Sequence, residues 1–229
     1  MIRGPAGLRA RSNQRYDGSV HIGIVLFDGV DELDFVGPYE IWSHAGQAVP
    51  SIDVGLYALS GAPEIVASHG LRVRTEGGLP RALDVLVVPG GGWTNHARHG
   101  LRTEIEAGRL TAAIAQYHAA GTRIAAVCTG ALAVAAAGIL GERPATTHHA
   151  ALEDLRQTGA RVVDARVVDD GDIVTCGGVT AGIDLSLWLL EDVYGPAVAE
   201  HLARYLEYER SQQIWRASDG RFQARSAVR

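Results

Sequence analysis

The sequence predicts an α/β fold: a mostly parallel central sheet with helices on both faces. Three observations carry this expectation. Short runs of branched residues alternate with longer segments of helical period, the pattern of strand–helix–strand units. The runs "DVLVVP" and "RIAAV" are apolar throughout, without the alternation of a sheet that has one wet face, so both faces are expected to be covered. The 229 residues, 47% hydrophobic and 21% charged, match a single domain with a substantial core. Ligands of such a sheet are expected at the carboxyl ends of its strands.

Taken in order, "HIGIVLF" (21–27) reads as a buried strand. "PYEIWSHA" reads as a short helix with Pro38 in its favoured first turn. "IDVGLYALS" is a strand, and "PEIVASHGLRVRTEGG" a hairpin turning at His69-Gly70. "DVLVVPGGG" is a strand ending in glycines, followed by one helix over "LRTEIEAGRLTAAIAQYHAAG" that stops at Gly121. "TRIAAV" is a strand that runs straight into a helix over "TGALAVAAAG". Beyond "GERPATTHH" come a helix over "AALEDLRQTG", strands over "ARVVDARVVDDG" and "DIVTC", and final helices over "TAGIDLSLWLLEDVYG" and "PAVAEHLARYLEY".

The domain is expected to span residues 20–209. Residues 1–19, with Arg3, Arg9, Arg11 and Arg15, are expected to be a disordered arm; the alternative is a basic anchor to another chain or an anionic surface. The arginine-rich polar tail, residues 210–229, is expected to fray after about Glu209, with no second module beyond it. A formal charge of −5 argues against a general nucleic-acid binder. No apolar run reaches the roughly 18 residues needed to span a bilayer. Cys128 and Cys176, the two cysteines, show neither a disulfide framework nor a metal-ligand spacing. The chain is therefore read as soluble and cytoplasmic.

Cys128 falls where the strand "RIAAV" stops and the helix "TGALAV" starts, with Ala126 two residues before it and Gly130 two after. Small-x-Cys-x-small is the cysteine form of a nucleophile elbow, a turn too crowded for larger neighbours. Such a turn would lift the thiol above the sheet, set it at a helix amino terminus that favours thiolate, and aim the Thr129 N–H at developing negative charge. The alternative is a buried structural cysteine. A second donor is expected from Gly91 or Gly92 in "VVPGGG", whose missing Cβ lets an amide approach a ligand. The spacing is not that of a nucleotide loop. A proton handler is expected from "DGVDELDFVGPYE": Asp34, between Leu33 and Phe35, has apolar neighbours that favour its acid form. The alternative there is a helix-capping aspartate.

In the order "LDFVGPYE", "LVVPGGG", "VCTGALAVAAAGIL", "PATTHH" and "GGVTAGIDLSLWL", the chain resembles the ThiJ/PfpI family of the class I glutamine amidotransferase-like superfamily, and within it the isocyanide (isonitrile) hydratases. The resemblance covers roughly Val20 to Tyr208. It implies a flavodoxin-like three-layer sandwich, usually a homodimer, with Cys128 as nucleophile, Asp34 as acidic partner, and the amides of Gly91 and Thr129 as oxyanion donors. It also implies a lyase that adds water to an isocyanide through a thioimidate, giving an N-substituted formamide with neither metal nor organic cofactor.

Thr129 stands where protease-like members carry a histidine, so a peptidase reading loses its usual base. His148 matches a histidine near the cysteine of several relatives and is read as a site wall, the alternative being a catalytic role. Cys176 is read as an inert packed thiol, Thr180 as the cap of the helix that follows it, and Trp93 as lining either the pocket or a dimer seam. The rival functions are another hydrolase, an amidase or a glyoxalase-like hydratase on the same scaffold, or a small-molecule sensing domain similar to those of AraC-type regulators. The last is disfavoured by the lack of room for a helix-turn-helix segment.

Overall fold

The computed structural model describes residues 19–217 and, for the backbone, 221–224. The expected arm therefore lies, apart from Ser19, outside the described residues. The strands are β1 (Val20–Leu26), β2 (Ile52–Ala58), β3 (Glu64–Val66), β4 (Arg72–Arg74), β5 (Val85–Val88), β6 (Arg123–Ala126), β7 (Pro144–Ala145), β8 (Arg161–Val162), β9 (Val167–Asp169), β10 (Ile173–Cys176), β11 (Gln213–Arg216) and β12 (Arg221–Ala224). The helices are α1 (Glu32–Ala48), α2 (Leu101–Ala107), α3 (Arg109–Ala119), α4 (Gly130–Ala136), α5 (Leu152–Gln157), α6 (Ala181–Tyr194) and α7 (Pro196–Tyr205), with a 3-10 turn at His149–Ala151.

The main sheet runs β12-β11-β9-β10-β6-β5-β1-β2. The pairs from β2 through β1, β5 and β6 to β10 are all parallel, as is β9 with β11; β10–β9 and β11–β12 are antiparallel. β5, β6 and β10 are buried along their whole length, as continuous apolar runs between two helical layers require. The α/β expectation, a mostly parallel sheet inside a three-layer sandwich, is met.

Several boundaries differ from the sequence reading, each for a local reason. α1 begins at Glu32, six residues before Pro38, because the Asp31 side chain accepts from the Leu33 N–H at 3.2 Å and caps it. Pro38 sits inside this helix and donates nothing to the Asp34 carbonyl one turn back. The helix expected over 101–121 is two helices, broken at Gly108, whose φ of 75° ends one turn and starts the next. "ARVVDARVVDDG" is two strands in two sheets: β8 pairs with β7, β9 with β10 and β11.

Among the described residues, the part of the tail from Arg210 to Arg216 does not fray. Arg210 pairs with Glu191 at 2.7 Å, the Ser211 N–H reaches Asp184 at 2.8 Å, and β11 adds to the sheet with Trp215 packed beside Ala165 and Val168. The sheet thus continues past the boundary expected at residue 209.

Within one helical layer, α1 and α6 cross at close range. A Cβ on Gly37 would stand 3.0 Å from Ile183 Cγ1, and one on Gly182 would stand 3.2 Å from the Pro38 ring. This crossing fixes the start of α1 over the carboxyl ends of β1, β5, β6 and β10, where the candidate site lies.

Candidate active site

The turn after β6 is held by its neighbours on three sides. The Val127 N–H donates to Val88 O at 2.9 Å, the Cys128 N–H to Gly177 O at 3.0 Å, and the Thr147 hydroxyl to Cys128 O at 2.8 Å. So constrained, Cys128 adopts φ 57°, a left-handed conformation that costs a non-glycine residue about 1–3 kcal/mol and is kept where surroundings over-determine it. The small neighbours are required: a Cβ on Gly130 would lie 2.1 Å from Val88 O. Cys128 is 7% exposed and lines a cleft of about 160 Å³ together with Asp31, His69, Trp93, His148 and Val179.

Behind the thiol lies Asp34, fully buried. Its Oδ2 accepts from the Gly90 N–H at 2.9 Å and its Oδ1 from the Val179 N–H at 3.1 Å, and the Cys128 thiol is its third partner. Burial, with the charge of Asp31 second, pushes the Asp34 carboxyl up to about 7, against the pull of those three hydrogen bonds. The cap of α1 is Asp31, so the capping alternative for Asp34 does not hold.

The expected thiolate bias of Cys128 is reversed. Burial, and then the neighbouring charge of Asp34, raise the thiol above its ordinary range, while the N–H groups of Thr129 and Val179 pull it down by less. The helix that follows has only seven residues, and its terminus is outweighed by desolvation. The pair therefore resists losing its last proton, which rests on sulfur when Asp34 is ionised.

The glycines divide their work differently from the sequence reading. Gly90, not singled out there, supplies the donor to Asp34, and a Cβ on it would meet Thr129 Oγ1 at 2.3 Å and Asp34 Oδ2 at 3.1 Å. The Gly91 N–H is turned to Thr129 Oγ1 at 3.3 Å, while Gly91 and Gly92 both line the cleft. Val179 was missed altogether. Its φ of 52° is exceptional for a β-branched residue, and its one N–H faces both Asp34 and Cys128. The available signal was "CGGVT" at the end of β10, the strand that neighbours β6.

His148 forms one wall. Its Nδ1 accepts from the Ala150 N–H at 3.2 Å, and burial, then His149, lower its pKa, so it stands there as a neutral ring. Its Cδ2 occupies the space that a Cβ on Gly178 would need. Trp93 lines the cleft, held by Asp154 at 2.5 Å from Nε1 and by Arg102, 4.0 Å over its ring. Cys176 is fully enclosed and burial raises its thiol. Thr180 stands at the start of α6 but makes no cap bond; its hydroxyl accepts from Arg166 at 2.9 Å. Asp31, Glu32 and His69 bring three potential ligand atoms within 4.8 Å of one another, yet both Glu32 oxygens are taken by His69, at 2.6 and 2.5 Å. A larger hollow of about 320 Å³ between α6, α7 and β11 is lined by the ion pairs Arg210–Glu191 and Arg216–Asp192 and by no cysteine.

The sequence pattern of the DJ-1/PfpI family matches residues 20–192. The chain is 36% identical over 193 residues to the isonitrile hydratase of Pseudomonas putida, covering 83% of this chain and 79% of that protein. It is 24% identical over 181 residues to the glutathione-independent glyoxalase DJ-1 of Schizosaccharomyces pombe, covering 76% and 91%. A crystal structure of a ThiJ/PfpI family protein from Pseudomonas syringae superposes with a TM-score of 0.74 at 26% identity, over 90% of this chain and 84% of that one. By the match over residues 20–192 and the 36% identity to one relative, the chain belongs to the DJ-1/PfpI family.

Proposed function

We propose that the protein is a cysteine-dependent isonitrile hydratase, converting an isocyanide and water into an N-substituted formamide without metal or organic cofactor. The observation that carries this reading is the Cys128–Asp34 pair: a thiol at a cleft wall against a buried carboxyl whose pKa of about 7 lets it take and return a proton near neutrality. Identity of 36% to an isonitrile hydratase supports the substrate class.

An isocyanide accepts both a nucleophile and a proton at its terminal carbon. As Cys128 Sγ bonds to that carbon, the thiol proton passes to the Asp34 carboxylate, and Asp34 delivers it to the same carbon, leaving a thioimidate, R–N=CH–S. Water then adds to that carbon, giving one proton to Asp34 and, through it, one to nitrogen. The C–S bond breaks, the remaining hydroxyl becomes the formamide carbonyl, and its proton returns the thiol. The Thr129 N–H at the sulfur stabilises charge during both steps, while Gly91, Gly92 and His148 shape the space for the substrate. The protein acts as a cytoplasmic homodimer in this reading. Free cysteines fit a reducing compartment, no described helix is long and apolar enough to cross a membrane, and α1 leaves Val36 and Tyr39 exposed for a second copy.

A glyoxalase-like hydratase is the second reading, supported by the 24% identity to a DJ-1 glyoxalase. The two separate in one assay. Formamide should appear from a small alkyl or aryl isocyanide, vanish in Cys128→Ala and fall at least ~100-fold in Asp34→Asn. Turnover of methylglyoxal but not of isocyanide by the intact protein would favour the second reading. With neither substrate turned over and a small molecule retained through purification, a sensing role replaces both.

A further inference from the structure

Asp31 stands at the cleft wall with a task left over after capping α1. Its Oδ1 accepts from the Leu33 N–H at 3.2 Å, it is only half-buried, and it makes no ion pair among the described residues. The charges around the cleft do not cancel it. Beside it Glu32 is paired with His69, so the group carries one net negative charge with His69 protonated and two with His69 neutral. His148 on the opposite wall has its Nδ1 engaged and stays neutral. Among the described residues no arginine lines the cleft, and the guanidinium of Arg102 is stacked on the Trp93 ring. Thus the Asp31–Glu32–His69 group beside Cys128 carries net negative charge in either state of His69, and Asp31 is the acid at the cleft surface that has no ion pair among the described residues.

We infer that Asp31 is a specificity-determining residue that selects substrates carrying a cationic substituent, such as a protonated amine, next to the carbon presented to Cys128. The inference deepens the hydratase reading and rests on it for the word isocyanide; the selection of positive charge rests on the cleft alone. Asp31→Asn keeps the cap of α1, because asparagine caps a helix as well as aspartate does, and the loss of its charge beside Asp34 and Cys128 acts alike on both members of a cation-and-neutral or cation-and-anion pair.

The decisive measurement needs no turnover. Rates of Cys128 modification are measured with a methanethiosulfonate bearing an ammonium group and with one bearing a sulfonate, each divided by its rate on an unstructured cysteine peptide. In this reaction the thiolate displaces methanesulfinate and forms a mixed disulfide, so both reagents use the same nucleophile and any change in thiol pKa cancels in the ratio. Mass spectrometry assigns the label, and Cys176→Ala removes the second sulfur. The normalised cation-to-anion ratio should exceed unity in the parent protein, fall about three- to tenfold in Asp31→Asn, and shrink with added salt. An unchanged ratio in the variant overturns the inference.

The second arm compares a dialkylaminoethyl isocyanide with an uncharged alkyl isocyanide of similar size. Asp31→Asn should lower the ratio of kcat/KM for the first to kcat/KM for the second about three- to tenfold, any loss shared through Asp34 cancelling in the ratio. An equal loss for both overturns selection at the substrate level. If neither isocyanide is consumed by the parent protein, the hydratase reading fails, and the labelling ratio still decides whether Asp31 selects charge.

Discussion

At the scale of single residues, Asp34 shows what an acid at this position costs. Its carboxyl titrates near 7 in the folded chain against an ordinary value of 3.8, so folding takes up a proton between those limits. The associated stability is fully present below about pH 4 and lost as pH rises through 7, by up to ~4 kcal/mol. Urea titrations at pH 4 to 8 should therefore show Asp34→Asn gaining on the parent protein as pH rises, whatever constant cost the amide adds. Activity runs the other way. Since the thiol holds its proton, the acting form in the proposed reaction is thiol plus carboxylate, and kcat/KM for an isocyanide is expected to rise through about pH 7 to a plateau. A profile that falls across the same range would remove Asp34 as the group that receives the thiol proton. Gly130 is a steric case: Gly130→Ala places a Cβ 2.1 Å from Val88 O and should lower stability by about 1–3 kcal/mol while loosening the turn that holds Cys128, both readable by thermal melts and labelling rates.

Among elements, β11 carries the clearest lesson about what a sequence shows. A tail read as polar and arginine-rich hides two adjacent apolar residues, Ile214 and Trp215, and a four-residue strand is too short to register as periodicity. Removing residues beyond Glu209 should strip β9 of its parallel neighbour and bare Val168 and Ala165. A lowered urea midpoint and aggregation of the truncated protein are expected, measured by light scattering against the full chain. The elbow, in contrast, was legible because two steric demands coincide at fixed spacing, Ala126 before and Gly130 after one cysteine. Asp34 was legible only as one of two alternatives, proton handler or helix cap, and the cap formed by Asp31 removes the second. Val179 and Gly90 were not, since both act through backbone N–H groups that every residue but proline possesses; only the three-dimensional approach of β5 and β10 to β6 assigns them.

For the molecule as a whole, the layers are tied by a buried charge cluster at the opposite side of β6 from its turn. Arg123 at the start of β6 reaches Asp169 of β9 at 3.0 Å and Asp192 of α6 at 2.9 Å, while Trp188 Nε1 donates to Asp169 at 3.0 Å and Arg216 of β11 meets Asp192 at 2.7 Å. Replacing Arg123 with methionine removes the buried cation that both carboxylates share and should cost roughly 3–5 kcal/mol in urea unfolding. The fold class was legible from sequence because apolar runs of strand length needed cover on both faces; the strand order was not, because it depends on which distant segment closes each edge. That closure has a consequence for biosynthesis. Val167 must wait for Ile214, its partner in the adjoining strand, to leave the ribosome. A nascent chain that already contains β9 and the completed cleft therefore presents an unpaired backbone edge until residues 213–216 emerge, and this interval is when a holding chaperone has most to protect.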